Sequence, residues 1–366
     1  MALTATEGGV KLALARGVFY NTHMELCRDL SSLCVGALPG RLTAVDAMCA
    51  SGVRGIRYKK ENKNVASVAL VDVDGKAVSC ARKNATLNKL GGSFRCVKSD
   101  ANKFLPANRF DIVELDPFGS PAPFLHDAAR CLSANRGGYL SLTATDVAVL
   151  CGAHHAACLK NYGAAPLNNE FCHENAARIL AAKTILTLAP FNLAALPIFT
   201  FSHRHYVKMI FSVETGADAA VAAVKQLGFV SYCPSCTWRE AARMPRHLSC
   251  PHCSHQIENG GPLFIGKLWD EKVLGKMLAL NVKRKYAKKK EIEKILSTMI
   301  AESAIPSYGY YDLHTLAKKM GGAILGMDDA VEKLQKTGAA VSRTHFCPTA
   351  VRTDASHETV LKVLSK

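Results

Sequence analysis

Apolar residues in the first part of the chain fall into short runs that close on an acidic or small residue. Helical spacing is confined to the stretches between them. Leu42 to Met48, Val68 to Val71, Phe94 to Val97, Phe110 to Leu115 and Gly138 to Thr143 are such runs, rich in aliphatic and β-branched side chains. Strands covered on both faces in a parallel sheet have this composition. Between them, Met24 to Leu38 places Met24, Leu26, Leu30, Leu33 and Val35 on one helical face and is stopped by Pro39-Gly40. Ala77 to Leu87, and a segment from Glu170 to about Leu188, also read as helices. Strands alternating with helices predict an α/β, Rossmann-like sheet. Ala195 to Thr200 and Tyr206 to Val213 would complete it as seven strands with an antiparallel edge.

In such sheets ligands bind at the carboxyl ends of strands, so the residues that follow each run matter most. Phe110 to Leu115 is followed by Asp116-Pro117-Phe118-Gly119, where Pro117 ends the ladder and Gly119 permits a tight turn. A carboxylate, a main-chain carbonyl and an aromatic ring are thereby presented together. They suit methyl transfer to the exocyclic amine of a nucleobase, whose lone pair is delocalised into the ring. Acceptors on its N–H groups would turn that lone pair toward an electrophile. Asp116 would take the released proton and Phe118 would stack on the base. An ordinary Asp-Pro turn is the plainer alternative. Asp72 closes its run where a carboxylate commonly accepts ribose hydroxyls, and Ser99-Asp100-Ala101 closes the next, where a side chain and an N–H could read adenine. A helix cap is the alternative for Asp100. The small residues Cys49 to Gly55 would let a ligand approach the backbone.

The charge balance is 46 basic against 30 acidic residues, a net of +16. It favours a polyanionic partner. No apolar run is long enough to span a bilayer. The N-terminus lacks the apolar core of a signal peptide, and the 14 cysteines sit mostly in apolar surroundings. Both point to a reducing, cytoplasmic setting. Four of the cysteines form two CxxC pairs, Cys233/Cys236 and Cys250/Cys253, the ligand set of a closed structural zinc ribbon. Arg239, Arg243, Arg246 and His247 in the ribbon's loop are placed to reach phosphates; His252 and His255 read as bystanders, with replacement of one Cys ligand by either as the alternative. The cationic run Lys283 to Lys290 falls in one expected helix, Glu271 to Ser303, favouring phosphate contact. The helices Leu313 to Met320 and Asp328 to Lys336, with a strand at Ala339 to Arg343, suggest a winged-helix-like end that would grip RNA by shape. The expected division is thus 1–225 for the catalytic domain and 226–366 for an α+β, nucleic-acid-binding domain. The ribbon would occupy about 230–256 of the latter and the winged end about 305–366. Glu170, His173 and Glu174 head a helix, where capping or substrate positioning fits better than metal binding, since no second His stands at ligand spacing.

The pieces FYNTHMELCRDL, ASGVRGIR, VDVD, SDANKF, DPFGSPAPFL, TATDVAVLCGAH, NEFCHE and SRTHFCPTAVRT resemble, in the same order, the motifs of the tRNA (guanine N2)-dimethyltransferase family, which modifies position 26 of tRNA. The resemblance runs from Phe19 to Thr353. It implies a class I methyltransferase that uses S-adenosylmethionine, bound by residues matching Arg28, Arg54, Asp72, Asp100 and Ala101. It also implies Asp116 as the catalytic acid and Phe19 with Phe118 as the rings that hold the guanine. Phe19, Arg28 and Arg54 rest on the resemblance alone. The family usually has Pro where Thr22 stands and Asn where Cys27 stands, so closure of the N-terminal segment is open to change. Two rival readings are an amino methyltransferase acting on other RNA or DNA, and a non-catalytic zinc-containing RNA-binding protein. Phe118, where the former usually has a second Pro, and the complete set of acids weigh against them.

Overall fold

A computed structural model describes residues 3–321 and 325–364. It opens with a hairpin, β1 (Leu3–Glu7) and β2 (Val10–Leu14), turning at Gly8-Gly9. Then come α1 (Glu25–Ala37), β3 (Leu42–Asp46), α2 (Val53–Glu61), β4 (Val65–Asp72), α3 (Gly75–Leu87), β5 (Phe94–Lys98), the short α4 (Ala101–Phe104) and β6 (Ile112–Leu115). After α5 (Leu125–Ala134), β7 (Gly137–Ala144), α6 (Val147–Leu150), α7 (His155–Tyr162) and α8 (Cys172–Leu188), β8 (Leu193–His203) and β9 (Tyr206–Thr215) end the sheet. The strand order is β5-β4-β3-β6-β7-β9-β8, with β9 antiparallel to both neighbours. The expected seven strands and their antiparallel edge are therefore present. Chain order reverses between β3 and β6, which makes the gap beyond their carboxyl ends the topological switch point.

The second part begins with α9 (Ala217–Val224), then a sheet of β10 (Leu227–Tyr232), β11 (Arg239–Ala242) and β12 (Glu258–Phe264). The expected helix over Glu271 to Ser303 is two helices, α10 (Glu271–Lys283) and α11 (Lys289–Ser303). The break has a physical cause. Arg284 is extended and donates to the carbonyl of Glu61 and to Asn62 Oδ1, while Tyr286 is buried with its hydroxyl 2.6 Å from Glu61 Oε2. Part of the cationic run is thus docked onto the catalytic sheet's own helix rather than solvated. The chain closes with β13 (Tyr311–Asp312), α12 (Leu313–Met320), α13 (Met327–Gln335), β14 (Val341–Arg343), β15 (Ala350–Thr353) and α14 (His357–Leu364). These terminal elements have a small core of their own around Leu316, Leu334, Val351 and Val360. The main buried cluster draws on residues from Val10 to Ala350 and takes in Trp269, Met277 and Leu296. Among the described residues, no helix is long and apolar enough to cross a membrane.

Candidate active site

All four residues of β6 are buried, and the strand delivers Asp116 to the switch point with 24% of its side chain exposed. The Pro117 to Gly119 turn is latched to the end of β7: Gly119 N donates to Thr145 Oγ1 at 2.7 Å, and Thr145 N to the Gly119 carbonyl at 2.9 Å. Gly119 has φ +80°, a conformation that side-chain-bearing residues rarely adopt. Asp116 Oδ2 accepts a charged hydrogen bond from Arg54 Nη2, and its Oδ1 has no partner among the described residues. Burial pushes the Asp116 carboxyl up, but the facing charges of Arg54 and, farther off, Lys208 outweigh it and hold it below the usual range. It is an anion at neutral pH with one oxygen free to accept an N–H.

Arg54 is itself held from below. Its Nη1 donates to Ser31 Oγ at 3.1 Å, and its Nε lies 3.5 Å from Glu114 Oε1. Glu114 is fully buried within the apolar β6 run and is the hub of the site floor. Tyr58 donates to it at 2.7 Å and Lys208 Nζ at 2.5 Å. An acid in a run buried on both faces demands charged partners, which is the signal that could have marked Glu114 in the sequence. Asp46, one strand over, has its carboxyl raised to about 7, chiefly by burial and then by the Glu114 charge.

Asp72 and Asp100 stand at the carboxyl ends of neighbouring strands, joined by a bond from Ser99 N to the Asp72 carbonyl at 3.0 Å. Asp72 accepts Ala50 N at 2.8 Å and Asp74 N at 2.9 Å, which ties the β3 turn to the second acid. At that turn Gly52 has φ +77°, and a Cβ there would lie 2.9 Å from Ala81 Cβ, so glycine is required twice over. Asp100 does cap a helix, accepting Asn102 N at 2.8 Å, but its exposed carboxylate remains open to a ligand. Ala101 is buried beside it. The donor set suits an adenosine. Val73 presents an apolar side chain, 68% exposed, next to Asp72, and Asn102 Oδ1 is buried without a hydrogen-bond partner.

Phe19 and Phe118 come from distant parts of the chain and meet edge to face, with centroids 4.8 Å apart and planes at 84°. They are 52% and 78% exposed, so the pair presents an apolar surface to solvent beside Asp116. Arg28 is not on a solvated helix face, where its place on an amphipathic helix would put it. It is 5% exposed and bonded to Glu7 and to the Asn21 carbonyl. Arg239 is also not free for phosphates. It pairs with Glu170 at 2.8 Å, donates to the Tyr310 carbonyl and stacks over Tyr311. Glu174 is a fully buried clamp, 2.7 Å from Arg178 and 2.6 Å from Arg352, so it joins α8 to β15 rather than capping a helix or meeting a substrate. His173 lies 3.6 Å from Cys151 Sγ, and burial lowers its basicity.

The four ribbon cysteines converge, with Cys233 and Cys253 sulfurs 3.5 Å apart and Cys236 and Cys250 sulfurs 3.6 Å apart. A tetrahedron of Zn–S bonds about 2.3 Å long has edges of about 3.8 Å, so the set fits a zinc ion. The two knuckles match in backbone: Thr237 N bonds to the Cys233 carbonyl and Ser254 N to the Cys250 carbonyl, with Thr237 and Ser254 both at positive φ.

A doubly wound sheet with acids closing successive strands and an Asp-Pro-Phe turn at its switch point is the catalytic domain of a Rossmann-like, class I methyltransferase. The sequence profile of the N2,N2-dimethylguanosine tRNA methyltransferases matches residues 2–365. The chain belongs to that family. It is 34% identical to the tRNA (guanine(26)-N(2))-dimethyltransferase of Methanothermobacter thermautotrophicus, covering 99% of this chain and 98% of the relative. It is 37% identical to the tRNA (guanine(26)-N(2)/guanine(27)-N(2))-dimethyltransferase of Aquifex aeolicus, covering 95% and 90%. The solved complex of Trm1 from Pyrococcus horikoshii with S-adenosyl-L-methionine superposes over the whole of both chains with a TM-score of 0.91 at 30% identity.

Proposed function

We propose that this chain methylates the exocyclic N2 of guanine 26 in tRNA, once and then again, to give N2,N2-dimethylguanosine. S-adenosylmethionine, when bound, supplies an electrophilic methyl group on a sulfonium. Arg28 and Arg54 hold the donor, Asp72 its ribose, and Asp100 with the Ala101 N–H its adenine. The observation that carries the reading is the ionised Asp116, anchored through one oxygen to Arg54 and open through the other, beside two exposed phenyl rings.

Each residue's part follows from its surroundings. A base sandwiched between two parallel rings needs them about 7 Å apart, two contact distances of about 3.5 Å. The edge-to-face pair must therefore open, and exposed Phe118 is the ring free to swing. Asp116 accepts one N2–H and the main chain of the Pro117 turn the other, which pulls the amine out of conjugation and aims its lone pair at the methyl carbon. As the N–C bond forms and the S–C bond breaks, the amine proton goes to Asp116 and on to solvent. A second round repeats this on the monomethylated base. Zinc on Cys233, Cys236, Cys250 and Cys253 holds the ribbon closed, and the ribbon's exposed Arg243 and Arg246, with the winged-helix-like end, engage the tRNA backbone. The net charge of +16 supports that partner. Nucleoside mass spectrometry of unmodified tRNA treated with wild type and with Asp116→Ala tests the proposal. Dimethylguanosine is expected only with the wild type, and its appearance with the variant would sink the assignment.

A further inference from the structure

Glu7, the last residue of β1, lies in a hairpin that carries none of the residues assigned so far. It is 1% exposed, yet four donors converge on it. Its Oε1 accepts Arg28 Nε at 2.6 Å and Arg57 Nη1 at 2.8 Å, and its Oε2 accepts Arg28 Nη2 at 2.5 Å and the Tyr20 hydroxyl at 2.9 Å. A buried carboxylate survives only where charges answer it, and here they do so in a fixed geometry. The Arg28 fork is bidentate.

The identity of these partners matters more than their number. Arg28 is the residue assigned above to the methyl donor, and Tyr20 is the chain neighbour of Phe19, assigned to the base. The guanidinium of Arg28 lies 5.3 Å over the Tyr20 ring, and its Nη2 also donates to the Asn21 carbonyl at 2.9 Å, closing the segment back on itself. Arg28 Nη1 has no hydrogen-bond partner among the described residues. The carboxylate cannot drift. Arg57, beneath it on α2, is braced by Asp29 at 2.5 Å and Glu61 at 2.7 Å. The hairpin is pinned to α3 by Asn84 and Asn88, which accept Ala13 N at 2.7 Å and Lys11 N at 3.0 Å.

We propose that Glu7 is a positioning residue that serves both pockets: its fork orients Arg28 toward the donor and, through Tyr20, it sets the Phe19 ring against the base. This rests on the roles given to Arg28 and Phe19 under the proposed function. An ion pair that only stabilises the fold would change the melting temperature and leave binding constants alone, whereas a shared anchor links the two sites.

The test compares wild type, Glu7→Gln, Tyr20→Phe and Arg28→Ala. Donor affinity is measured by calorimetry with S-adenosylmethionine alone, and KM for unmodified tRNA at saturating donor. Loss of charge-assisted hydrogen bonds predicts that Glu7→Gln weakens donor binding about tenfold and raises the tRNA KM by a similar factor. Tyr20→Phe should leave donor affinity within about twofold and raise the tRNA KM several-fold, because it cuts only the base-side link. If Glu7→Gln does not fold, Glu7→Asp keeps the charge but shortens the reach, and it carries the same expectation. Donor affinity unchanged in the Glu7 variant while Arg28→Ala weakens it would overturn this inference and spare the donor assignment. Unchanged affinity in Arg28→Ala would instead remove the donor assignment itself. An unaltered tRNA KM in Tyr20→Phe refutes the coupling to the base.

Discussion

Replacing Asp116 with Asn tests the chemistry at its centre with little disturbance of shape. In the native protein Oδ2 accepts from Arg54, and Oδ1, partnerless among the described residues, is the oxygen left for a substrate N–H. An Asn would keep its amide oxygen toward the guanidinium, which can only donate, and would thus turn its NH2 group toward the substrate amine, donor against donor. Arg54 would not be stranded, since Glu114 lies 3.5 Å away and Ser31 at 3.1 Å, so folding and donor binding should survive. Removing one preorganised group at a reacting centre costs about 10²- to 10³-fold in kcat, roughly 3–4 kcal/mol. Loss of the proton acceptor adds to this, so we expect a fall of about a thousandfold. Single-turnover methylation of unmodified tRNA, with donor affinity measured in parallel, is the assay. The same structure sets a pH signature. A carboxylate held below its ordinary value stays ionised as pH falls, so the wild-type rate should show no loss assignable to Asp116 between about pH 6 and 9, and protonation should silence it only below the ordinary carboxylate range near 4. A variant retaining more than a tenth of wild-type kcat, or a wild-type rate lost through an Asp116 titration near neutrality, would refute the reasoning.

Other expectations follow from the same geometry. Phe118→Ala should raise KM for tRNA while leaving the melting temperature and donor affinity unchanged, because the ring is 78% exposed; weakened donor binding would place it in the other pocket. Glu174→Gln leaves Arg178 and Arg352 buried without their shared anion and should destabilise the protein by about 3–5 kcal/mol, read from denaturant midpoints. The Glu174 carboxyl, which burial would raise, is lowered by Arg352 and Arg178 from 4.5 to about 2. Its stabilising contribution is therefore complete above about pH 4.5 and lost as pH falls toward 2, so the variant should lack that part of the acid transition. Wild-type protein should contain one zinc per chain by elemental analysis, and Cys250→Ser should lose it together with the ribbon's resistance to proteolysis. Full zinc content in that variant would exclude the four-thiolate site.

Much of the catalytic sheet was legible in the chain because hydrophobic patterning is local. A run buried on both faces announces itself over five or six residues, and the acids at Asp72, Asp100 and Asp116 could be placed at strand ends from it. The two CxxC pairs were legible for the same reason, since a knuckle is a turn of a few residues around a metal. Resemblance alone suggested Phe19, Arg28 and Arg54; Arg54 reaches Asp116 and Phe19 reaches Phe118 only through the tertiary fold.

What the chain did not disclose is how its buried charges pair. Glu114 meets Lys208 across 94 positions and Glu174 meets Arg352 across 178. Arg28 and Arg239 read as surface groups until packing enclosed them. The expected helix through the cationic run breaks because Arg284 and Tyr286 gain more from capping Asn62 and Glu61 than from continuing a helix in water. Local pattern records where apolar surface must be hidden. Which oppositely charged groups are then brought together depends on long-range approach, and a charge shut away from water makes that choice costly to get wrong.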